Sequence, residues 1–193
     1  MPQGDNLKKR LFDIFLALIL IALAAPIMMI IATGIVFTSS GGALFWSKRI
    51  GRGNITFMMP KFRTMRIGSP LLATHLISNS SSHITRLGSF LRKSSLDELP
   101  QLWSILIGDM SFVGPRPALF NQHDLISLRI KYGVDKILPG LTGWAQVNGR
   151  DNLSVEDKVR FDLTYLERKC FIFDLKIIYM TVLNVLIRKG ISH

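Results

Sequence analysis

An uncharged, strongly apolar run near the start of the chain constrains its fold more than any other feature. The 24 residues from Ile14 to Phe37 carry no formal charge. As a helix they would extend about 36 Å, enough to cross the hydrocarbon core of a bilayer. The run is too long for the apolar part of a cleaved signal peptide. Part of the chain is therefore expected to contact lipid.

The residues within and around this run bear on its path through the membrane. Pro26 lies at its centre, where a proline removes one helix hydrogen bond and clashes with the preceding turn, so a kink is expected there. Basic residues stand on both sides, at 8–10 before the run and at Lys48, Arg49 and Arg52 after it. Because the positive-inside bias draws both ends to the cytoplasm, a helix that breaks at Pro26 and leaves by the face it entered satisfies both observations. A kinked helix that spans the bilayer is the alternative.

The overall charge indicates an anionic partner. The chain has 193 residues, which suits one domain. Its net charge of +11 is typical of a protein that meets nucleic acid, a lipid headgroup or a phosphorylated substrate. The long uncharged run and the lack of a recognisable basic and aromatic module argue against a nucleic-acid binder. No Walker A sequence and no GxGxxG occur, so the common nucleotide-binding loops are not indicated.

Beyond the apolar run, the pattern predicts helices joined by short extended segments and loops. The predicted elements are a hairpin over 43–65, a mobile Ser-rich loop or lid over 68–83, helix over 86–108 interrupted at Pro100, a stiff turn over 114–117, a surface helix over 121–136, a glycine-containing loop over 139–149 and a helical region over 155–188. No internal repeat is visible, so a repeat architecture is not indicated.

An acidic pair lies in the densest group of functional residue types, at 92–100. Ser95 and Glu98 match a capping box, so one interpretation is simply the start of a helix. The same placement would keep Asp97 and Glu98 ionised, because backbone N–H groups and the positive end of a helix stabilise the charged form. An ionised aspartate can attack a phosphorus atom, and a neighbouring glutamate can hold a hard divalent cation. The pair is thus a candidate both for a cap and for catalysis.

Phosphates that approach two carboxylates need cations nearby to offset the repulsion. Arg92 and Arg116 are the candidates for this role, and two flanking prolines preorganise the backbone of Arg116 for a bidentate phosphate contact. Arg150 follows a loop whose glycines allow the backbone to approach a ligand closely. Lys61 and Arg63 would share one face of an extended segment, either as a solvated edge or as an anion contact.

Several longer motifs in fixed order resemble those of a known family. They are KKRLFD at 8–13, KFRTM at 61–65, RKSSLDELPQ at 92–101, GDMSFVGPRP at 108–117, PGLTGWAQVNGR at 139–150 and DLKIIYMT at 174–181. From about residue 7 to residue 190 the chain resembles the bacterial sugar transferases that act as small monotopic polyprenol-phosphate phosphoglycosyl transferases. Each motif alone is weak, and their shared order makes the resemblance specific.

The resemblance implies a fold and a location. Members of this family are α/β proteins, mostly helical with a small β element, that insert one re-entrant helix-break-helix from the cytosolic face of the bacterial inner membrane and lay amphipathic helices on its surface. The membrane helix would occupy 1–40, with its break at Ala25 and Pro26. Residues 41–193 would form the catalytic domain, and the two parts one integrated unit. Family members often carry Ser where this chain has Ala25, so a hydroxyl contribution to the bend is absent.

The resemblance also implies a reaction. Asp97 would attack the β-phosphate of a UDP-sugar, release UMP and form a covalent phosphosugar enzyme, from which undecaprenyl phosphate takes the sugar phosphate. Glu98 would help to bind Mg²⁺. The phosphates would be surrounded by Lys61, Arg92, Arg116 and Arg150. The product, undecaprenyl-diphosphate-sugar, would pass to downstream glycosyltransferases of bacterial glycoconjugate assembly, and no nucleic acid would take part.

Two alternatives stand beside this reaction. A non-catalytic membrane protein could hold anionic lipid on its basic face, and Asp97 would then be dispensable. A one-step displacement by the lipid phosphate would pass through a ternary complex and leave no labelled protein. The Ser-rich loop lacks the acidic residues common in the family, and no motif identifies the sugar.

Overall fold

The computed structural model describes residues 3–69, 83–149 and 152–187, and of residues 3–6 only the backbone. Most of the predicted Ser-rich loop and the predicted site residue Arg150 lie outside these ranges. The helices are α1 (Gln3–Thr38), α2 (Arg86–Lys93), α3 (Gln101–Ile107), α4 (His123–Lys131), α5 (Trp144–Val147), α6 (Val155–Arg168) and α7 (Phe171–Leu186). The strands are β1 (Leu44–Ile50), β2 (Thr56–Phe62), β3 (Ser111–Val113) and β4 (Gly140–Thr142). The described chain is thus mostly helical with a small amount of sheet, as predicted.

The long apolar run forms α1, which is one continuous helix with Pro26 inside it. Among the described residues, 7–38 form the one helix that is long and apolar enough to cross a membrane, and little of it is buried. Large apolar side chains such as Leu23, Ile30 and Phe37 are exposed along it. The break predicted at Ala25 and Pro26 does not interrupt the helix, and the re-entrant path stays a prediction.

Residues on both sides of Pro26 pack against the remainder of the protein. Ala17 is buried in a core cluster with Leu102. Ile31 is buried in a second cluster with Phe62. The side chain of Leu99 packs against both clusters. The apolar contacts of α1 therefore include the segment of the chain that carries Asp97 and Glu98.

The predicted hairpin is confirmed as the antiparallel pair β1–β2. Ser47 pairs with Met59, and Phe45 pairs with Lys61. Because side chains alternate along a strand, these residues share one face, and Arg49 lies on the same face two residues after Ser47. Ser47 and Met59 are buried, so this face is turned toward the core. The strand thereby carries Lys61 into the interior of the protein.

The helical segment predicted over 86–108 is divided into shorter pieces. α2 ends at Lys93, Ser95 adopts the left-handed conformation (φ 56, ψ 15), and a 3-10 turn follows at Leu96–Glu98. α3 begins at Gln101, directly after Pro100. The capping-box interpretation is wrong, because the Ser95 side chain makes no cap hydrogen bond. A non-glycine residue in the left-handed region ends a helix, so the acidic pair lies in a short turn between two helices.

β3 and β4 pair in parallel, and their ends position the stiff turn that follows β3. The N–H of Gly114 donates to the carbonyl of Thr142, and the N–H of Gly140 donates to the carbonyl of Pro115, each at 2.9 Å. A Cβ atom on Gly140 would overlap the backbone of Gly114. The two backbones therefore approach more closely than side chains would allow, and this contact fixes the start of the Pro115–Pro117 turn.

The helical region predicted over 155–188 consists of two helices, α6 and α7, with a short break after Arg168. The hydroxyl of Tyr165 donates to Asp174 Oδ1 at 2.7 Å. Lys9 of α1 donates to Asp174 Oδ2 at 2.5 Å and to the carbonyl of Val113 at 3.0 Å. This polar cluster joins the start of α1 to β3, α6 and α7.

Candidate active site

The acidic turn Leu96–Glu98 holds Asp97 in an enclosed position. Asp97 is 8% exposed. The N–H of Glu98 donates to the carbonyl of Ser95 at 3.2 Å, and the N–H of Leu99 donates to the carbonyl of Leu96 at 3.3 Å. These two bonds close the turn, while α2 and α3 fix its two ends. The carboxylate of Asp97 is thus carried by a short, braced segment rather than by a helix.

Glu98 is paired with two cations from other parts of the fold. Lys61 Nζ lies 2.9 Å from Glu98 Oε1, and Arg116 Nη2 lies 2.8 Å from the same oxygen. The side chain of Glu98 is 13% exposed, so both pairs are largely screened from water. Hydrogen bonds between ionised partners are shorter and stronger than neutral ones. Glu98 therefore joins the hairpin and the proline-flanked turn to the acidic turn.

Arg92 approaches the site from the last turn of α2. Its Nε donates to Thr64 Oγ1 at 2.9 Å. Burial lowers the pKa of Arg92, and its attraction to Asp97 opposes this. The structure therefore brings together three of the four predicted phosphate-binding cations. They are Lys61, Arg92 and Arg116.

Burial shifts the charged groups of the site toward their neutral forms. It raises the pKa of Asp97 above the ordinary value, the charges of Lys61, Arg92 and Arg116 oppose the rise, and Glu98 adds to it. Burial also lowers the pKa of Lys61, opposed chiefly by Glu98. Burial therefore opposes the ionisation of Asp97, and the charges of the surrounding cations favour it.

The charge balance of the site suits a phosphorylated ligand. Lys61, Arg92 and Arg116 carry more positive charge than Asp97 and Glu98 can neutralise, so an anion would bind favourably among them. Two of these cations are guanidinium groups, which can grip phosphate oxygens in a bidentate fork. A carboxylate with little water around it can then react with the phosphorus atom that the cations hold.

The residues present are also compatible with Mg²⁺. The described residues contain no group of three or more His, Cys, Asp or Glu side chains that could hold a metal ion. Mg²⁺ bound together with substrate phosphates needs only one or two carboxylates from the protein. Asp97 and Glu98 supply that number, so the donor set fits a metal ion that arrives with a diphosphate and not a metal cage made by the protein alone.

The remaining predicted residues have different positions. Ala25 and Pro26 lie within α1, and Pro26 is exposed. Arg63 lies at the hairpin edge, where Nε donates to the carbonyl of Gly42 at 2.8 Å and Nη2 to that of Leu44 at 3.1 Å. Of the two alternatives open for Arg63, the solvated edge is therefore the better description.

Sequence reasoning missed Arg49 as part of the surroundings of the site. Its Nη1 donates to the carbonyl of Pro117 at 3.1 Å, and its charge acts on Lys61. The two-residue period of a strand could have found it, because Arg49 shares the face of Lys61 once the hairpin register is known. The sequence alone identifies Arg49 only as one of the basic residues that flank the apolar run.

Comparison with known proteins identifies relatives over almost the whole chain. Residues 4–188 match the bacterial sugar transferase family. A UDP-glucose:undecaprenyl-phosphate glucose-1-phosphate transferase of Xanthomonas campestris pv. campestris is 38% identical over 189 residues, which cover 94% of this chain and 39% of that protein. A protein of the same name from Escherichia coli (strain K12) is 36% identical over 193 residues, covering 96% of this chain and 42% of that protein.

A shorter relative matches over most of its own length as well. The exopolysaccharide production protein ExoY of Sinorhizobium fredii (strain NBRC 101917 / NGR234) is 35% identical over 205 residues, covering 98% of this chain and 89% of that protein. The chain thus spans about two fifths of the two glucose-1-phosphate transferases and most of the exopolysaccharide protein. With the family matched from residue 4 to residue 188, this chain belongs to the bacterial sugar transferase family.

Proposed function

We propose that this protein transfers a sugar 1-phosphate from a UDP-sugar to undecaprenyl phosphate, giving undecaprenyl-diphosphate-sugar and UMP. The observation that carries the proposal is the buried carboxylate of Asp97 beside Glu98, with Lys61, Arg92 and Arg116 around the pair. Relatives named as transferases of glucose 1-phosphate from UDP-glucose to undecaprenyl phosphate support this choice of donor and acceptor.

In the first step, a carboxylate oxygen of Asp97 attacks the β-phosphorus of the UDP-sugar. A bond forms between that oxygen and phosphorus, and the bond from phosphorus to the bridging oxygen of the diphosphate breaks. UMP leaves with the electron pair on its phosphate oxygen. Arg92 and Arg116 hold the phosphate oxygens and stabilise the charge that develops on them. The sugar phosphate is then an acyl phosphate ester of Asp97.

In the second step, a phosphate oxygen of undecaprenyl phosphate attacks the same phosphorus atom. The new diphosphate bond forms as the bond to Asp97 breaks, and the carboxylate is released. Because the acceptor phosphate is an anion like the departing UMP, the same cations can serve both steps. Covalent catalysis of this kind divides one displacement between two large anions into two steps.

A divalent cation would assist the first step. Glu98 would hold Mg²⁺ when the UDP-sugar is bound. The ion would withdraw charge from the phosphates and so ease the departure of UMP. Lys61, which shares Glu98 with Arg116, would keep that carboxylate in place when the diphosphate binds.

We propose a re-entrant path for α1, with both ends on the cytosolic face of the inner membrane and a bend at Pro26 that does not interrupt the helix. Asp13 accepts a hydrogen bond from the N–H of Phe112 at 3.2 Å, and Ile31 packs with Phe62 and Leu91. Asp13 and Ile31 are 18 residues apart, about 27 Å along a helix. A spanning helix would carry Ile31 to the far side of the bilayer, where residues of the catalytic part could not reach it.

Other helices expose apolar side chains that suit the membrane surface. Trp103 and Ile107 on α3 are each 53% exposed, and Ile172 and Leu186 on α7 are 79% and 74% exposed. Exposed apolar side chains on short helices beside a basic surface are typical of interfacial attachment. They would bring the acidic site to the depth at which the headgroup of a polyprenyl phosphate lies.

The test is UMP release from a panel of UDP-sugars by the intact protein in detergent micelles, with Mg²⁺ and undecaprenyl phosphate. We expect one or more donors to give UMP, and we expect Asp97→Ala and Asp97→Asn to give none. Asp124→Asn, an exposed carboxylate on α4, is the matched control and should release UMP at the normal rate. Unchanged release by both Asp97 variants would remove Asp97 as the nucleophile.

A non-catalytic protein that holds anionic lipid on its basic surface is the second candidate. The net charge of +11 and the exposed apolar residues of α1 are the observations that favour it. It predicts binding to anionic vesicles that does not depend on Asp97, together with no UMP release from any donor. UMP release by the intact protein, and none by the Asp97 variants, would decide in favour of the transferase.

A further inference from the structure

Arg129 on α4 contacts the backbone of the turn that carries Arg116. Its Nη1 donates to the carbonyl oxygen of Arg116 at 2.8 Å. The other side of the same guanidinium is bound to Asp162 of α6, with Nε at 3.0 Å and Nη2 at 2.6 Å from Asp162 Oδ2. One guanidinium therefore links α6 to the turn beside the acidic pair.

This ion pair is buried. The side chains of Arg129 and Asp162 are 11% and 1% exposed. Burial raises the pKa of Asp162, and Arg129 opposes the rise. Removing two charges from water costs free energy that their attraction offsets only in part, so a buried pair is often no more stabilising than two apolar residues of similar size. A contribution to the stability of the fold is therefore a weak explanation for the presence of the Arg129–Asp162 pair.

The turn that receives this contact has little freedom left. The carbonyl of Arg116 is held by Arg129, and the next carbonyl, that of Pro117, accepts from Arg49 Nη1 at 3.1 Å. The rings of Pro115 and Pro117 fix two φ angles around them. With its backbone held on both sides, Arg116 extends its guanidinium to Glu98 Oε1 at 2.8 Å.

We propose that Arg129, held in place by Asp162, is a positioning residue of this site: it fixes the carbonyl of Arg116 and so sets the place of the Arg116 guanidinium against Glu98 and the substrate phosphates. The role in catalysis rests on the transfer reaction proposed above. Arg129 itself need not touch the substrate. A shift of about 1 Å in a group that holds the reacting phosphate can lower the rate about a hundredfold, so the effect of losing Arg129 would reach the chemistry through Arg116.

Arginine is suited to this task in a way that lysine is not. The guanidinium donates to Asp162 from Nε and Nη2 and to the carbonyl of Arg116 from Nη1, in one fixed plane. A lysine ammonium is a flexible point charge and would hold Asp162 without orienting the carbonyl. Arg129→Lys should therefore keep most of the stability and lose most of the positioning.

The experiment compares Arg129→Met with the paired variant Arg129→Met/Asp162→Leu, measuring thermal unfolding and the kcat and KM for the UDP-sugar. Arg129→Met leaves a buried carboxylate unpaired and should unfold at a lower temperature. The paired variant removes that charge, so its thermal midpoint should recover while kcat/KM stays about 10- to 100-fold below that of the intact protein. Recovery of kcat/KM together with the thermal midpoint would show a purely structural pair and overturn the proposal.

A double-variant cycle measures whether the effects of Arg129 and Arg116 on kcat/KM depend on each other, which a purely structural role of Arg129 would not produce. If Arg129 acts through Arg116, adding the paired change to Arg116→Met should lower kcat/KM by no more than about twofold beyond Arg116→Met alone, because the two changes remove one interaction. Multiplying effects would contradict the proposal. Arg160→Met is the matched control. It removes an exposed ion pair with Asp157 on α6, the helix that also carries Asp162, and it should leave kcat/KM unchanged.

The structure of the paired variant separates this proposal from the transfer reaction itself. If Arg129 positions Arg116, the contact between Arg116 Nη2 and Glu98 Oε1 should be lost in that structure. An intact contact at the present 2.8 Å would overturn the proposal whether or not the protein is a transferase. If the intact protein releases UMP from no donor, the transfer reaction fails, and the Arg116–Glu98 distance still decides the positioning role.

Discussion

Arg116 Nη2 lies 2.8 Å from Glu98 Oε1, so the proline-flanked turn after β3 is joined directly to the acidic turn after α2. The acidic turn lies between two short helices, α2 and α3. The acidic turn has no side-chain cap at Ser95, and the turn of Arg116 depends on backbone contacts with β4. The geometry around Asp97 therefore depends on several elements together. A change in any of them should shift the groups that surround Asp97.

Asp97 is expected to lower the stability of the folded protein at neutral pH. Its pKa is raised in the fold from an ordinary value of 3.8, chiefly by burial, so folding favours the protonated carboxyl. The cost of burying the charge is absent below about the ordinary pKa and complete above the raised one. Asp97→Asn should therefore raise the thermal midpoint at pH 8, and the gain should shrink as the pH falls toward 4.

Thermal unfolding of the intact protein and Asp97→Asn across this pH range checks the prediction. Asp124→Asn serves as the control, because its carboxylate is exposed on α4 and its replacement should change the midpoint little at any pH. A lower midpoint for Asp97→Asn than for the intact protein at pH 8 would show that the surrounding cations outweigh the loss of hydration.

Gly140→Ala should damage the site from a distance. The new Cβ atom would overlap the backbone of Gly114, so the contact that places the Pro115–Pro117 turn must open. We expect a lower thermal midpoint and a loss of at least about tenfold in UMP release, because Arg116 moves with the turn. Gly42→Ala is the matched control, since a Cβ atom there meets nothing within 4 Å. Equal rates for the two variants would contradict the dependence of Arg116 on this contact.

Lys9→Met should weaken the attachment of the start of α1 to the protein. Lys9 Nζ donates to the Val113 carbonyl, to Tyr165 Oη and to Asp174 Oδ2. Asp174 is 5% exposed, and removing the partner of a buried charge costs about 3 kcal/mol or more. For a chain of this size we expect the thermal midpoint to fall by about 6 °C or more. Lys8→Met, at an exposed neighbouring position, should leave it within experimental error.

The path of α1 can be tested with single cysteines at its two ends. In a Cys170→Ser background, Lys8→Cys and Ser40→Cys would each carry one exposed thiol. A re-entrant helix places both on the cytosolic side, so a membrane-impermeant maleimide should label neither in spheroplasts and both after lysis. Labelling of Ser40→Cys from outside the cell would show that α1 spans the bilayer.

Local sequence patterns predicted the elements of the fold better than the boundaries between them. The short apolar and aromatic runs of the 43–65 segment correspond to β1–β2, and the long apolar run before them corresponds to α1. The helix predicted over 86–108 is divided, because Ser95 adopts a left-handed conformation that a serine does not predict. A positive φ is uncommon for a residue other than glycine, so no local pattern predicts it.

The candidate site shows the same division between local and distant information. Residue chemistry and motif order pointed to Lys61, Arg92 and Arg116, and all three surround the acidic pair. The raised pKa of Asp97 could not be predicted, because it depends on how deeply the tertiary fold buries the carboxylate. Arg129 was missed for a similar reason. Its partners, Arg116 and Asp162, are 13 and 33 residues away in the sequence.

The most direct test of the proposed mechanism is the mass of the intact protein after incubation with a UDP-sugar that supports UMP release, in the presence of Mg²⁺ and without undecaprenyl phosphate. We expect the protein to gain the mass of one sugar phosphate at Asp97, to lose it when undecaprenyl phosphate is added, and to gain nothing in Asp97→Asn. An unmodified protein that forms UMP only when both substrates are present would contradict the covalent mechanism and favour direct displacement by the lipid phosphate.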